Sequence, residues 1–287
     1  MRGTGLPLVT PFDDEGDVDE TALRELVDWV TDAGVDFVVP CGSNSEAPLL
    51  GSAERTRVVS TVADQTDLPV LAGTGHAGYR ETLDETVAAA DAGADAALVV
   101  TPYYFRHDDA TLASYYRELA DESPIPVYLY SVPAFTGTTL DPRTVEALST
   151  HPNVHGIKDS SGDLESLQRT VALTDDADFS VLVGSGSIYA AALDHGADGG
   201  VLALANVVPE LASEVYDRHR EGDAEGAREL NRSLVELDRA VTARYGVPGV
   251  KAAMRSRGVP AGRVRRPFRP VSDDDGDELA ALVEDVT

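Results

Sequence analysis

The sequence predicts an α/β fold, a (β/α)8 barrel of the TIM type with a C-terminal α-helical extension. Three observations predict it. Eight short β-branched, apolar runs recur along the chain, most of them leading through a Gly/Ser/Thr/Pro loop into a helical pattern. The runs are continuously apolar rather than alternating, as expected of strands in a parallel sheet covered by helices. After Pro209 the pattern becomes purely helical, with no flexible Gly/Ser linker. Eight units closing on themselves make a barrel; an open doubly wound sheet is the competing architecture. The expected division is a barrel over residues 1–209 and a helical extension over 210–287 packed on it.

The strands are expected at residues 5–12, 37–42, 70–75, 96–102, 127–133, 155–161, 180–186 and 200–206. Helices are expected between them at 19–33, 52–65, 79–92, 109–121, 141–149, 164–174 and 187–195, and in the extension at 210–221, 224–243, 248–257 and 275–286. Ser52, with Glu54 close behind, and Asp141, with Pro142 at the first helical position, read as N-caps. Gly34 and Gly93, each between a helix and the next strand, read as C′ glycines.

Composition bounds the function. The 287 residues are 43% hydrophobic, ample for one large core. No run of about 18 apolar residues is present, so a membrane-spanning helix is not expected. Residues 1–5 lack the pattern of a signal peptide, and Cys41 is the single cysteine, so no internal disulfide is expected and a cytoplasmic location is the default. Fifty acidic side chains against 23 basic ones give a net charge of −27. The carboxylates are dispersed, as in Asp13-Asp14-Glu15 and Asp273-Asp274-Asp275. Such self-repulsion is tolerable where salt screens it, which points to a salt-loving, haloarchaeal source. Nucleic acid and anionic membranes, which need a positive surface, are excluded as partners.

In a barrel of this kind the chemistry sits at the C-terminal ends of the strands. Lysine occurs only at Lys158 and Lys251, the other basic residues being arginine. Lys158 lies inside the apolar run 155–161. Desolvation lowers the pKa of a buried lysine and yields an amine nucleophile, which arginine cannot supply. A lysine snorkelling from the strand end, or paired with Asp159, is the plain alternative. Lys251 lies in a polar helix and reads as a solvated surface residue. Tyr130 ends the neighbouring strand, where its phenol can shuttle a proton; an ordinary core tyrosine is the alternative. Ser43 and Asn44 offer hydroxyl, amide and backbone donors suited to a carboxylate, or simply form a polar turn. Gly73 to Gly78 matches a dinucleotide-binding pattern, but as the third of eight similar units it is discounted. His151 and His155 flank a Pro-Asn turn and share no helix face, so neither metal nor other cofactor is expected.

At these strand ends the chain resembles the dihydrodipicolinate synthase / N-acetylneuraminate lyase family of class I aldolases. The motifs are Gly42–Glu46, Pro102-Tyr103-Tyr104, Tyr-x-x-Pro-x-x-Thr-Gly at 130–137, Gly-Ile-Lys-Asp-Ser at 156–160 and Ala-Asn-Val at 205–207. The resemblance is end to end and implies a Schiff-base lysine at Lys158 and a proton shuttle at Tyr130. It also implies carboxylate binding by Ser43 and Asn44 and a backbone wall at Val201. Tyr104 would complete the relay, in some members from a neighbouring subunit, and members are commonly homotetramers. Asn44 departs from the threonine usual in several branches.

The subgroup is read from side chains. Where the synthases carry an arginine that grips aspartate semialdehyde, this chain has Phe135. Gly184 in Gly-Ser-Gly-Ser, with Gly-Ser-Asn and Tyr-Ser-Val-Pro-Ala, resembles 4-hydroxy-2-oxoglutarate aldolases. Pro-Tyr-Tyr-Phe with Arg106 resembles 2-keto-3-deoxygluconate aldolases, where a nearby arginine meets a phosphate or sugar-acid hydroxyls. The expected substrate is therefore a 2-keto-3-deoxy sugar acid, cleaved to pyruvate and an aldehyde. Alternatives are 4-hydroxy-2-oxoglutarate cleavage, dihydrodipicolinate synthesis, sugar-acid dehydration and a non-catalytic 2-oxo-acid-binding protein.

Overall fold

The apolar runs form eight strands in the computed structural model, which describes every residue from Met1 to Thr287. They are β1 (Gly3–Leu6), β2 (Phe37–Val38), β3 (Leu71–Gly73), β4 (Ala96–Val100), β5 (Val127–Ser131), β6 (Val154–Asp159), β7 (Ser180–Val183) and β8 (Gly199–Val201). All ladders are parallel in the order β2-β1-β8-β7-β6-β5-β4-β3, and a single parallel bridge between Val38 and Val70 joins the two outer strands. The fold is the expected barrel. Each strand stops short of its expected C-terminal end, because the residues there leave the ladder to build loops. Pro40 cannot donate to a ladder, and Cys41 turns to a left-handed φ of 57°.

The helices are α1 (Glu20–Asp32), α2 (Ser52–Ala63), α3 (Tyr79–Asp91), α4 (Asp109–Glu122), the single turn α5 (Pro133–Thr136), α6 (Pro142–Ser149), α7 (Leu164–Thr174), α8 (Tyr189–Asp194), α9 (Pro209–Arg220), α10 (Ala224–Arg239), α11 (Gly246–Ser256) and α12 (Asp273–Glu284). Part of the acidity is used locally. Asp19, Asp108, Asp141, Asp163 and Asp223 each accept a backbone N–H at a helix start, where an anion also meets the positive end of the helix dipole. Ser52 is not a cap but the first residue of α2; the cap is Gly51, whose N–H donates to Glu54 at 2.9 Å. Gly34 and Gly93 end α1 and α3 with φ of 82° and 97°, as C′ residues require.

Helix α9 packs against β1, and the Thr4 hydroxyl donates to the Ala212 carbonyl at 3.3 Å. It is thus the barrel's eighth helix, and the helices standing apart from the repeat are α10 to α12. Asn231 of α10 clasps the loop after β7, donating to the Gly186 carbonyl at 2.7 Å and accepting from Ala190 N at 3.0 Å.

Strand alternation separates two apolar layers. Val127 and Leu129 of β5 face the helices, within the large core that also holds Leu26, Val58 and Leu167. Tyr128 and Tyr130 face the barrel axis with Phe37, Leu71, Leu98, Leu182 and Val201. The axis has room for aromatic rings because glycines oppose them. A Cβ on Gly5 would lie 2.2 Å from the Phe37 ring, and one on Gly156 would lie 2.5 Å from the Tyr128 ring.

No helix is long and apolar enough to cross a membrane. Most carboxylates outside the caps have no basic partner, and several of the ion pairs present are solvent-exposed, where each contributes little. The thermal midpoint is therefore expected to rise steeply from low salt to molar KCl, as the screening length falls from about 30 Å to about 3 Å. A flat midpoint across that range would contradict the repulsion argument.

Candidate active site

At the C-terminal mouth of the barrel lies a cavity of about 450 Å³. Its wall comprises strand ends and loops, including Gly42, Ser43, Gly73, Gly75, Leu98, Val100, Tyr103, Tyr130 and Val132. Residues from the extension close it: Thr242, Gly246, Val247, Pro267 and Phe268. Thr242 sits in a π-helical turn, Ala240–Arg244, of the kind often found at functional sites.

Strand register brings the two central side chains together. Tyr130 and Lys158 are paired residues of β5 and β6, and both point to the axis. Lys158 is 4% exposed, and its Nζ lies over the Tyr130 ring, 4.5 Å from the centroid. It makes no ion pair. Asp159 cannot supply one, because alternation turns it to the outer face of β6, where it accepts Ser161 N–H at 2.8 Å. Lys158 lies beside the cavity wall as Tyr130's neighbour rather than in the wall itself.

The Tyr130 hydroxyl is 3.4 Å from Ser43 Oγ, a long contact that links the phenol to the loop after β2. That loop is bent at both ends by non-glycine residues in left-handed geometry, Cys41 and Glu46, with φ of 57° and 59°. Such strain persists only where surrounding structure holds it. Ser45 ties the loop down, accepting Gly42 N–H at 3.1 Å and donating to the Leu8 carbonyl, while Thr10 Oγ1 donates to Ser45 O at 2.8 Å. Ser43 and Asn44 are left half-buried at the tip, and the Asn44 side chain makes no hydrogen bond. Burial pushes the Cys41 thiol up to about 12, so it is no nucleophile.

Other expected site residues fall as follows. Gly184 follows β7, and a Cβ there would lie 1.8 Å from Ser160 Oγ. Val201 is buried on the axis and is paired with Gly5. Tyr104 is 88% exposed, outside this chain's cavity, with a φ of 80° and an edge-to-face contact with Phe105. Arg106 is exposed on the same loop and takes no part in the cavity wall. Phe135 is 73% exposed yet lines the mouth. Gly73 and Gly75 are needed for packing: a Cβ would strike the Cys41 carbonyl at 2.1 Å or Val100 N at 2.6 Å.

The reading of Lys251 as a solvated surface residue is wrong. It is fully buried, 2.7 Å from Glu46 Oε1, and donates to the carbonyls of Thr10 and Arg263, each at 2.6 Å. Helical periodicity does place it on α11, but its polar neighbours in sequence hide the face it occupies. Tyr103, which the Pro-Tyr-Tyr motif contains without a role, lines the cavity, and the extension residues are not anticipated, since nothing local in the sequence marks a wall contributed from a hundred residues away.

Burial raises the pKa of two further carboxyls, Asp159 and Asp238, against the hydrogen bonds each accepts from Ser161 and Ser187. Between the ordinary carboxylate range and the raised value, the folded chain binds protons that the unfolded chain lacks. Stability therefore falls as pH rises through that window. In molar KCl, which screens the surface, the urea midpoint at about pH 5 is expected to exceed that at about pH 7; the opposite slope would refute this.

An unpaired, buried amine beside a phenol at the mouth of a (β/α)8 barrel is an arrangement suited to Schiff-base chemistry. The chain belongs to the dihydrodipicolinate synthetase family, whose sequence profile matches residues 1–286. Like other members, it is a metal-independent carbon–carbon lyase that works through a Schiff base. It is 40% identical to a 4-hydroxy-tetrahydrodipicolinate synthase of Methanothrix thermoacetophila, over 97% of this chain and 95% of the relative. It is 39% identical to an "uncharacterized DapA-like lyase" of Halobacterium salinarum, over 100% of this chain and 94% of the relative. Among solved structures, YagE, a prophage protein of the same family from Escherichia coli K12 in complex with pyruvate, superposes with a TM-score of 0.95. Its identity is 29%, over 100% of this chain and 98% of that one.

Proposed function

We propose that the chain is a pyruvate-forming aldolase that cleaves a 2-keto-3-deoxy sugar acid, with Lys158 as nucleophile and Tyr130 as proton shuttle. The amine attacks C2 of the 2-oxo acid, and Tyr130 moves protons as water leaves, giving a protonated imine. Loss of the C4 hydroxyl proton then breaks C3–C4; the electron pair flows into the imine, and the aldehyde departs. The remaining enamine is protonated at C3, and hydrolysis frees pyruvate and Lys158. Ser43 and Asn44 bind the substrate carboxylate, with the backbone at Gly184 and Val201 lining the pyruvyl site and Arg106 available to the far end of the substrate. A homotetramer would let Tyr104, exposed here, complete the relay of a neighbouring subunit.

The observation that carries this reading is Lys158 Nζ, buried and without a counter-charge, over the Tyr130 ring. Borohydride reduction with pyruvate, followed by peptide mapping, tests it: an adduct on Lys158 is expected, and no adduct leaves only a binding protein. Cleavage assays on 2-keto-3-deoxygluconate and on 4-hydroxy-2-oxoglutarate, the near alternative, then rank substrates.

A second reading, 4-hydroxy-tetrahydrodipicolinate synthesis, is favoured by the named activity of the 40% identical relative. Against it stands Phe135 at the cavity mouth, which cannot hold the carboxylate of aspartate semialdehyde. Phe135→Arg is expected to raise kcat/KM for pyruvate plus aspartate semialdehyde severalfold, because a guanidinium pairs with a carboxylate. Efficient condensation by the unmodified chain would transfer the assignment to the synthase.

A further inference from the structure

Lys251 is on α11, far in sequence from the strand ends, yet its ammonium donates to two backbone carbonyls and pairs with a carboxylate, on three separate segments. The partners are the Thr10 carbonyl after β1, Glu46 Oε1 after β2, and the Arg263 carbonyl in the C-terminal segment. The Phe12 ring closes the fourth side, 4.6 Å from Nζ. A compact ammonium suits these convergent oxygens, whereas the larger planar guanidinium is a poor substitute. The other oxygen of Glu46 accepts Arg265 N–H at 2.8 Å, and Arg265 is fixed by a fork to Glu54 at 2.6 and 2.8 Å.

Glu46 is the hinge of the arrangement. It is 1% exposed, lines the cavity and holds a left-handed backbone. Its N–H donates to the Ser43 carbonyl at 3.2 Å, closing the turn that carries Ser43 and Asn44. Without the ammonium, a buried carboxylate would be left unpaired at a strained residue, and it would relax by moving the turn.

We infer that Lys251 is a positioning residue of the reaction, holding through Glu46 the turn that presents Ser43 and Asn44 to the carboxylate of the bound 2-oxo acid. This rests on the aldolase reading above. Lys251 acts on binding rather than on bond cleavage, so its loss raises the half-saturation for pyruvate while leaving the Lys158 amine competent. It also sets a pH limit. Burial lowers the Lys251 pKa to about 8, opposed by Glu46 and assisted by the neighbouring Arg255 and Arg265 charges. Above that pH the clasp loses its proton, and the turn loosens.

The test is borohydride trapping at Lys158 as a function of pyruvate concentration, in wild type, Lys251→Met and Glu46→Gln. Glu46→Gln retains side-chain shape and is the deciding variant if Lys251→Met does not fold. Both are expected to raise half-saturation roughly tenfold, the loss of one charge-assisted hydrogen bond to the substrate. Labelling at saturating pyruvate should stay within about twofold of wild type, well inside that tenfold effect. In wild type the half-saturation should also climb above about pH 8, a rise absent from Lys251→Met. Unchanged half-saturation and pH profile in the folded variants, with only a lower melting midpoint, would reduce Lys251 to a structural clasp and overturn the inference. Wild type that fails to label at all would instead sink the aldolase reading, and this inference with it.

Discussion

Lys158→Ala is expected to abolish adduct formation with pyruvate and to lower kcat by on the order of 10⁴-fold or more, as loss of a covalent nucleophile does elsewhere. Lys158→Arg should be equally inactive, because a guanidinium keeps its proton and cannot attack a carbonyl. The effect on folding should have the opposite sense. Lys158 is buried without an ion pair or a hydrogen bond, with only the Tyr130 ring facing its Nζ at 4.5 Å, so truncating it removes a buried polar group that the fold satisfies poorly. A thermal midpoint equal to or above that of wild type, together with lost activity, is the expected pair of results. Residual turnover within about tenfold of wild type would rule out the covalent mechanism.

Tyr130→Phe is expected to lower kcat by roughly 10²- to 10³-fold, the usual contribution of a positioned general acid–base group. The ring stays on the barrel axis beneath the same neighbours, so the fold and the contact with Lys158 survive. What disappears is the hydroxyl and its 3.4 Å contact with Ser43. Trapping at Lys158 should still occur, more slowly, while KM changes little. A KM rise with kcat preserved would make Tyr130 a binding residue instead. Steady-state kinetics and a trapping time course separate these outcomes.

Both expectations concern residues that are legible in the amino-acid order. Strand periodicity and turn chemistry mark the eight repeats to within a few residues, because each βα unit is specified locally by its own apolar run, cap and glycine. Lys158 and Tyr130 are legible because each ends a strand, and a barrel brings consecutive strand ends together. Alternation then puts both on the axis and Asp159 on the other face, which the residues alone leave open. Long-range packing is not legible. Lys251 looks ordinary because its acceptors lie 241 positions back at Thr10 and 12 positions on at Arg263. The same holds for Val247 and Phe268, whose cavity contacts depend on how the extension folds back. The strained turn at Cys41 and Glu46 is equally hidden, since neither residue type advertises a positive φ.

That the chain keeps only two lysines, both buried, has a practical consequence. Acylating and carbonyl reagents that normally decorate a protein's outside will find no lysine amine there. A small reactive aldehyde or ester would thus behave as a titrant of the catalytic pocket in the native molecule. Immobilisation or fluorescent tagging would need carboxylate chemistry, and a burst of amine labelling during heating would serve as a direct reporter of unfolding.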